Sequence, residues 1–271
     1  MTAQRNSRKA KLDILIPAVP KDLATLPYVI DAARKHVRHA IGHIFVVAPR
    51  DKRIMALCKK KKVTFTDERR VLPFSKNRYR YRLKHWELSG WLYQQMIKLN
   101  GDKLCTADHF LVIDADTVLI RPHVFLRGGK TVFYCRNWSR PEYFRTFRRL
   151  MGRKRASSRS FVTHYMLFNR RKLASLRKAI EERHGMRWHD AIWRSMDKTK
   201  PYAFSEFETY GNYVYAGDPG NVIRLPARNK KMTSDVRRLA EGTLRKLARS
   251  YRSLSFHQRK GYRRRKRGRS G

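Results

Sequence analysis

Phe110-Leu111-Val112-Ile113 runs without a polar residue into Asp114-Ala115-Asp116-Thr117, and a second apolar pair, Val118-Leu119, follows. A short, continuous, β-rich run of this kind predicts a strand buried on both faces. Such a strand cannot end on two bare carboxylates at i and i+2 unless something offsets their charge. Strand alternation puts Asp114 and Asp116 on one side, and a turn at the strand end lets both reach one divalent cation. A turn with solvated aspartates satisfies the same local pattern, so the choice falls to the rest of the chain.

The surrounding sequence is extremely basic. Against 64 Lys+Arg stand 21 Asp+Glu, a formal net charge of +43 in 271 residues. Self-repulsion on this scale calls for a dense polyanion as partner. Nucleic acid fits through counterion release, and an anionic membrane surface is the second expectation. Cys58, Cys105 and Cys135 are odd in number, widely spaced and without a CxxC pair, so neither a disulfide framework nor a zinc site is expected. A reducing compartment follows. With no signal-like start and no run of 18 apolar residues, the expected place is the cytoplasm, without secretion or a transmembrane span.

Before the central strand the chain alternates strand and helix patterns. Leu12–Ile16 is a buried strand, broken at Pro17-Ala18-Val19-Pro20. Leu26–Val37 has a helical face, Ile44–Ala48 is a second strand, and Val63–Thr66 a third. This predicts βαβ units and an α/β fold with a mostly parallel central sheet flanked by helices. Ligands of such sheets bind beyond the strands' carboxyl ends, and Asp13, Pro17, Arg50, Asp67 and Asp114 flank strands. Further on, a helix is expected over Ser89–Leu99, a strand over Thr131–Cys135, helices over Leu173–Arg183 and Trp188–Trp193, and another over Val236–Tyr251. Residues 1–11 read as a basic arm, 12–258 as one domain and 259–271 as an Arg/Lys-rich tail awaiting a polyanion.

Three stretches suit a polyanion. Residues 76–84 alternate basic with neutral side chains; extended, they would place Arg78, Arg80 and Arg82 on one side and tyrosines on the other. From Arg136 to Arg159, arginines including Arg145, Arg148, Arg149, Arg153 and Arg155, with Lys154, interleave with Trp138, Tyr143, Phe144 and Phe147. Bases could stack there while guanidiniums hold phosphates. The tail adds Arg263, Arg264 and Arg265.

In Ser205-Glu206-Phe207-Glu208, Ser205 is a good N-cap and Glu208 stands three residues on, as in a capping box. That explains Glu208. Glu206 has no such explanation and is the better general-base candidate towards an acceptor hydroxyl.

The apolar-run-Asp-x-Asp pattern matches two families. In haloacid-dehalogenase-like phosphatases Asp114 would be the nucleophile, but that motif ends the first strand of its domain, and here several strands precede it. The other match covers far more of the chain. Ile16-Pro17 to Lys21-Asp22, Gly90-Trp91 to Lys98-Leu99 with Gln94-Gln95, Asp114 to Thr117, Thr163-His164 to Phe168, and Ser205 to Tyr213 resemble, in that order, motifs of a bacterial and viral group of GT-A fold, metal-dependent glycosyltransferases. The resemblance implies a nucleotide-sugar donor whose diphosphate is bridged by Mn²⁺ or Mg²⁺ on Asp114 and Asp116, with His257 completing the metal site. It implies Glu206 facing the acceptor and Pro17, Asp22, Arg50, Asp67, Gln95, Lys98 and His164 near the nucleotide-sugar. An inverting reaction is expected, from a single base at Glu206.

Charge alone selects the acceptor: DNA carrying a hydroxymethylated pyrimidine, as in viral DNA hypermodification. The alternatives are a surface-polysaccharide or lipid-linked glycosyltransferase at an anionic membrane, and a basic nucleic-acid-binding protein that has lost catalysis.

Overall fold

The computed structural model describes residues 11–257; the expected arm, through residue 10, and the tail with Arg263, Arg264 and Arg265 lie outside the described residues. Lys11, taken above as the end of the arm, opens the first strand.

Five strands form the central sheet. β1 (Lys11–Pro17), β2 (Ala40–Ala48) and β3 (Thr64–Asp67) are joined by helices α1 (Leu26–His36) and α2 (Lys52–Lys60). A small hairpin, β4 (Arg82–Leu83) and β5 (Trp86–Glu87), precedes α3 (Ser89–Leu99), β6 (His109–Ile113) and β7 (Thr117–Leu119). Then come β8 (Leu126–Arg127), β9 (Lys130–Cys135), α4 (Pro141–Met151), β10 (Tyr165–Asn169), α5 (Arg170–His184), α6 (Trp188–Ser195) and α7 (Glu206–Gly217). β11 (Val222–Pro226), β12 (Asn229–Lys231), α8 (Glu241–Ala248) and β13 (Ser253–Ser255) end the described chain.

The sheet order is β10-β6-β1-β2-β3. Its strands run parallel except β10, which pairs antiparallel with β6. Period-2 alternation in buried strands sends side chains into two cores. Leu12, Ile14, Ile16, Val46, Leu111 and Ile113 pack with α1 and α2 on one face. Leu15, Phe45, Val47, Phe110 and Val112 pack with α3, α5 and α7 on the other.

Asp13 interrupts this apolar strand yet is fully buried. It belongs to the end of the sheet away from the Asp114 turn. Its carboxylate accepts the backbone N–H groups of Thr106 at 2.7 Å, Ala107 at 3.0 Å and His43 at 2.9 Å, and these bonds, against the effect of burial, leave its pKa below the ordinary value. Asp13 is therefore a structural carboxylate, not a ligand-binding one.

Two expected elements come out differently. Val236–Tyr251 is a 3-10 turn at Val236–Arg238, capped by Asp235 through Arg237 N–H, followed by the short α8. Residues 76–84 are turns ending in β4, not an extended track. The alternation itself is real, with Arg78, Arg80 and Arg82 exposed, but Tyr79 and Tyr81 are core residues. Arg78 is tied to Asp190 and Arg82 to Glu87, so this segment offers no stacking platform.

A buried ion pair joins α5 to the end of α3. The Arg177 guanidinium meets Asp102 twice, at 2.5 and 2.6 Å, and also reaches the Leu99 carbonyl at 2.6 Å. Removing one member of such a pair strands the other charge. Arg177→Met should therefore lower unfolding stability by about 3–5 kcal/mol in urea titrations, and Asp102→Leu added to it should recover most of that loss.

Candidate functional site

Three chain reversals converge at the carboxyl end of β6. Parallel pairing of β1 with β6 brings the Pro17–Asp22 loop beside Asp114. Antiparallel pairing sets Tyr165 opposite Ile113, so the preceding residue, His164, lies over the turn, and its carbonyl accepts the Asp114 N–H at 2.9 Å. β13 pairs antiparallel with β7, Ser255 opposite Thr117, and the Phe256 N–H donates to the Asp116 carbonyl at 2.9 Å. His257 thereby arrives at Asp116. The Thr25 hydroxyl, at the start of α1, fastens the turn by donating to the Ala115 carbonyl at 2.8 Å.

The cleft above this turn has a volume of about 280 Å³. It brings together Pro17, Asp22, Gln95, Lys98, Asp114, Asp116, His164, Glu206 and His257. Arg50 and Asp67 do not line it. Asp67 is buried at the end of β3, bonded to Arg50 at 3.0 Å and to Arg69 at 2.9 Å, and the Arg69 contact leads in pulling its carboxyl down to about 2.

Lys98 is the centre of the site. Its ammonium donates to Asp114 at 2.6 Å and to Glu206 at 2.7 Å and lies 4.5 Å from the Phe207 ring centroid. Burial alone would lower its pKa, but the two carboxylates outweigh this and hold it charged. With two carboxylate partners, Lys98 is a bridge between the halves of the site.

The same balance tunes the acids. Burial acts to raise Asp114, and Lys98 with His164 at 3.2 Å overcomes it, leaving the carboxyl below the ordinary range. Asp116 likewise stays low because the His257 contact at 2.7 Å outweighs burial. Glu206 goes the other way: burial exceeds the opposing pull of Lys98 and raises it. Asp22 is pushed up to about 6, chiefly by burial, with Asp116 and Asp114 adding to it against Lys21 and the Val19 N–H. Glu208 is structural, but not through the expected capping box: Ser205 caps α7 through the Glu208 N–H, while the Glu208 carboxylate, instead of returning to the Ser205 N–H, binds Ser160, Asn212 and Ser139.

Asp116 oxygen and His257 nitrogen are suitable donors for Mn²⁺ or Mg²⁺. Among the described residues, however, no three His, Cys, Asp or Glu side chains form a ready-made cage. Instead each imidazole is held at Nδ1 by a carboxylate, and the two Nε2 atoms face each other at 3.4 Å. At most one of those nitrogens can donate to the other. The donor set therefore fits a cation held partly by ligand oxygens and not a closed protein site.

The interleaved arginine segment divides. Tyr143 and Phe147 are core residues, and Phe144 lies under Arg155. Arg145, Arg148, Arg149, Arg153, Lys154 and Arg155 are exposed. Arg136, Trp138 and Arg140 turn instead into the cleft wall, a placement the even spacing of arginines in the sequence did not distinguish. Tyr202 and Trp91 line the same wall.

No protein among curated sequences matches the chain. Among solved structures it is similar to the apo form of the WbbM bifunctional glycosyltransferase, with 14% identity over 91% of this chain and 46% of that one, at a TM-score of 0.53. This chain thus spans about half of that protein. It is also similar to the galactosyltransferase LgtC in complex with donor and acceptor sugar analogues (12% identity, 90% of this chain and 87% of that one, TM-score 0.47) and to mouse xyloside xylosyltransferase 1 in its apo form (12%, 92% and 98%, 0.47). The WbbM likeness carries the fold: a GT-A-like α/β architecture, in which Asp114 ends a central strand and not the first strand that the phosphatase alternative required. By sequence, residues 10–240 match the model of the Family of unknown function (DUF6492), and the chain belongs to that family.

Proposed function

We propose that this protein is a glycosyltransferase that moves a sugar from a nucleotide-sugar, a UDP-sugar by our reading, to an acceptor hydroxyl. One observation carries the proposal: the Asp114/Asp116 turn, His257, Lys98 and Glu206 share one cleft at the carboxyl end of the sheet. In the reaction, the bond from the anomeric carbon to the diphosphate oxygen breaks and the acceptor oxygen bonds to that carbon. Asp116 and His257, with Asp114, would hold Mn²⁺ or Mg²⁺, which supplies charge neutralisation at the departing diphosphate. Glu206, its pKa raised towards neutrality by burial, takes the acceptor proton. Lys98 sets the Glu206 carboxylate against Asp114 and keeps it from turning away. Attack assisted by this one base gives inversion.

The DNA acceptor rests on charge. Its support is the exposed arginine face of α4 and residues 153–155; its stacking half is reduced to Trp138 and the half-buried Phe144, because Tyr79, Tyr81, Tyr143 and Phe147 are core residues. A second reading, a surface polysaccharide or lipid-linked acceptor, is favoured by Trp138, which stands 59% exposed at the cleft. We place the protein in the cytoplasm, on three free and buried cysteines. No helix of the described residues is long and apolar enough to cross a membrane.

Asp116→Asn should abolish Mn²⁺-dependent binding of UDP-sugars in calorimetry. Glu206→Gln should keep that binding and lower transfer by roughly 10²-fold or more; equal transfer by wild type and variant would remove Glu206 from the base role.

Asp22 predicts a pH effect. Its folded-state pKa of about 6 exceeds the ordinary carboxylate value of 3.8, so its contribution to stability is full below the unfolded pKa and is lost as pH rises through 6. Without divalent cation, stability should fall by up to about 3 kcal/mol between pH 4 and 7. Asp22→Asn should flatten that slope in denaturation series.

For the acceptor, hydroxymethylated DNA, unmodified DNA and no DNA are incubated with labelled nucleotide-sugars. Label on the hydroxymethylated DNA alone is the result expected of the DNA reading; no label with any common donor sinks it.

A further inference from the structure

The lining of the cleft also carries charge that the proposed chemistry does not use. Arg136 leaves the end of β9 half-buried, with its Nε donating to the Val162 carbonyl at 2.5 Å. Arg140 stands just before α4, its guanidinium 5.1 Å from the Tyr202 ring centroid. Among the described residues neither forms an ion pair with a carboxylate, although Arg78, Arg82, Arg145 and Arg177 all do. A guanidinium taken out of water without a counter-charge is costly, and burial depresses the pKa of Arg136 accordingly. Such a group is kept where a ligand supplies the anion.

Between the two arginines stands Trp138. Among the described residues the exposed large hydrophobics are Tyr28, Met55 and Trp138, and Trp138 is the most exposed at 59%. It alone of the three lines the cleft. An indole left in water at a cleft mouth offers a flat face for a ring. Tyr202, across the wall, is held at φ 57°, a strained backbone for a non-glycine residue. Its loop is fastened by the Tyr81 hydroxyl, which donates to the Lys200 carbonyl and accepts the Ala203 N–H at 3.0 Å. Trp91 meets Tyr202 edge-on at 5.2 Å. The wall is thus built and braced without a ligand.

We propose that Arg136, Trp138 and Arg140 form the acceptor subsite, and that the acceptor is a sugar residue carrying its own carboxylate or phosphate. The ring lies on Trp138, and its charged group meets the guanidiniums, Arg140 foremost. This rests on the sugar-transfer reading for the name acceptor, but the anion-plus-ring recognition stands on the wall alone. A nucleic acid is the less suited occupant. Among the described residues, the exposed large aromatics are Trp138 and Tyr28, and Tyr28 does not line the cleft, so a polynucleotide would find one stacking face there and no succession of them.

The test uses the full chain, with and without UDP and Mn²⁺, titrated while indole fluorescence is followed. Hyaluronan tetrasaccharide and glucose 6-phosphate are the anionic probes; maltotetraose and glucose are their neutral counterparts. We expect an anionic probe to quench fluorescence and bind at least about 10-fold tighter than its neutral counterpart. Arg140→Ala should remove that advantage, and Trp138→Ala should remove the quench while Trp138→Phe retains affinity. Trp138 is exposed and Arg140 half-buried, and thermal melts confirm that the variants fold.

Equal binding of anionic and neutral probes, or variants that bind the anionic probes like wild type, would overturn the proposal. Loss of UDP binding in both alanine variants would assign the wall to the donor's diphosphate and overturn it too. A single-stranded DNA oligonucleotide whose quench depends on both residues, where the anionic sugars give none, would make the acceptor a nucleic acid. If no UDP-sugar binds wild type with Mn²⁺ while the anionic sugars bind at Trp138, sugar transfer falls and the anionic-sugar site stands.

Discussion

One ammonium group joins the two halves of this site. Lys98 comes from α3, Asp114 from the end of β6 and Glu206 from the start of α7, and the three meet within 2.7 Å contacts. Each charge would be expensive to bury alone. Together they are affordable, and the cost of moving any one of them fixes the distance between helix and strand. With Asp116 also ionised, Lys98, Asp114, Glu206 and Asp116 together carry two negative charges, before Asp22 is counted. The lysine is thus an internal counter-ion that sets how much external positive charge the cleft can accept.

The remaining geometry is a consequence of strand direction. A parallel β1 and β6 place two loops at one end of the sheet; an antiparallel β10 then brings a chain segment into that end, where the parallel strands leave it. His164 owes its position to that reversal. The Asp114–Asp116 turn and the Arg136–Trp138–Arg140 wall carry opposite charge in one cleft: one is short of positive charge, the other holds it in surplus. A ligand pair with complementary charges at its two ends would relieve both.

Much of this was legible in the sequence because the strands are buried on both faces and so read as apolar runs. The strand–turn–strand at Asp114 and Asp116, α3 over Ser89–Leu99 and the Ser205 cap follow from local pattern. Lys98 was not legible in its role, since its partners lie 16 and 108 residues away; the one local sign was a lysine within an apolar helix. Residues 76–84 show the limit of periodicity. Alternation correctly separated exposed arginines from tyrosines but not whether the tyrosines' side was solvent or core, because either can sit behind a row of charges. The arginines of 136–159 could not be sorted from spacing, as the turn before Pro141 sends Arg136 and Arg140 inward and the helix after it sends Arg145, Arg148 and Arg149 outward. The family resemblance, in turn, placed Glu206 and His257 with Asp114 without supplying the bridge between them.

The pairing of β13 with β7 has a bearing on time as well as place. His257 reaches Asp116 across 141 residues of chain. Chains emerge amino end first and their early portions organise first, so the five-strand sheet can be in place, and α7 can dock Glu206 on Lys98, while the imidazole is still unmade. The carboxylate end of the cleft is therefore the last part to be completed, when a three-residue strand enters as the middle strand of a small sheet, between β12 and β7. Ser253, Leu254 and Ser255 are buried there and paired on both edges. The imidazole at Asp116 is thereby anchored through a strand held on both sides, and not through one that can fray from the margin of a sheet.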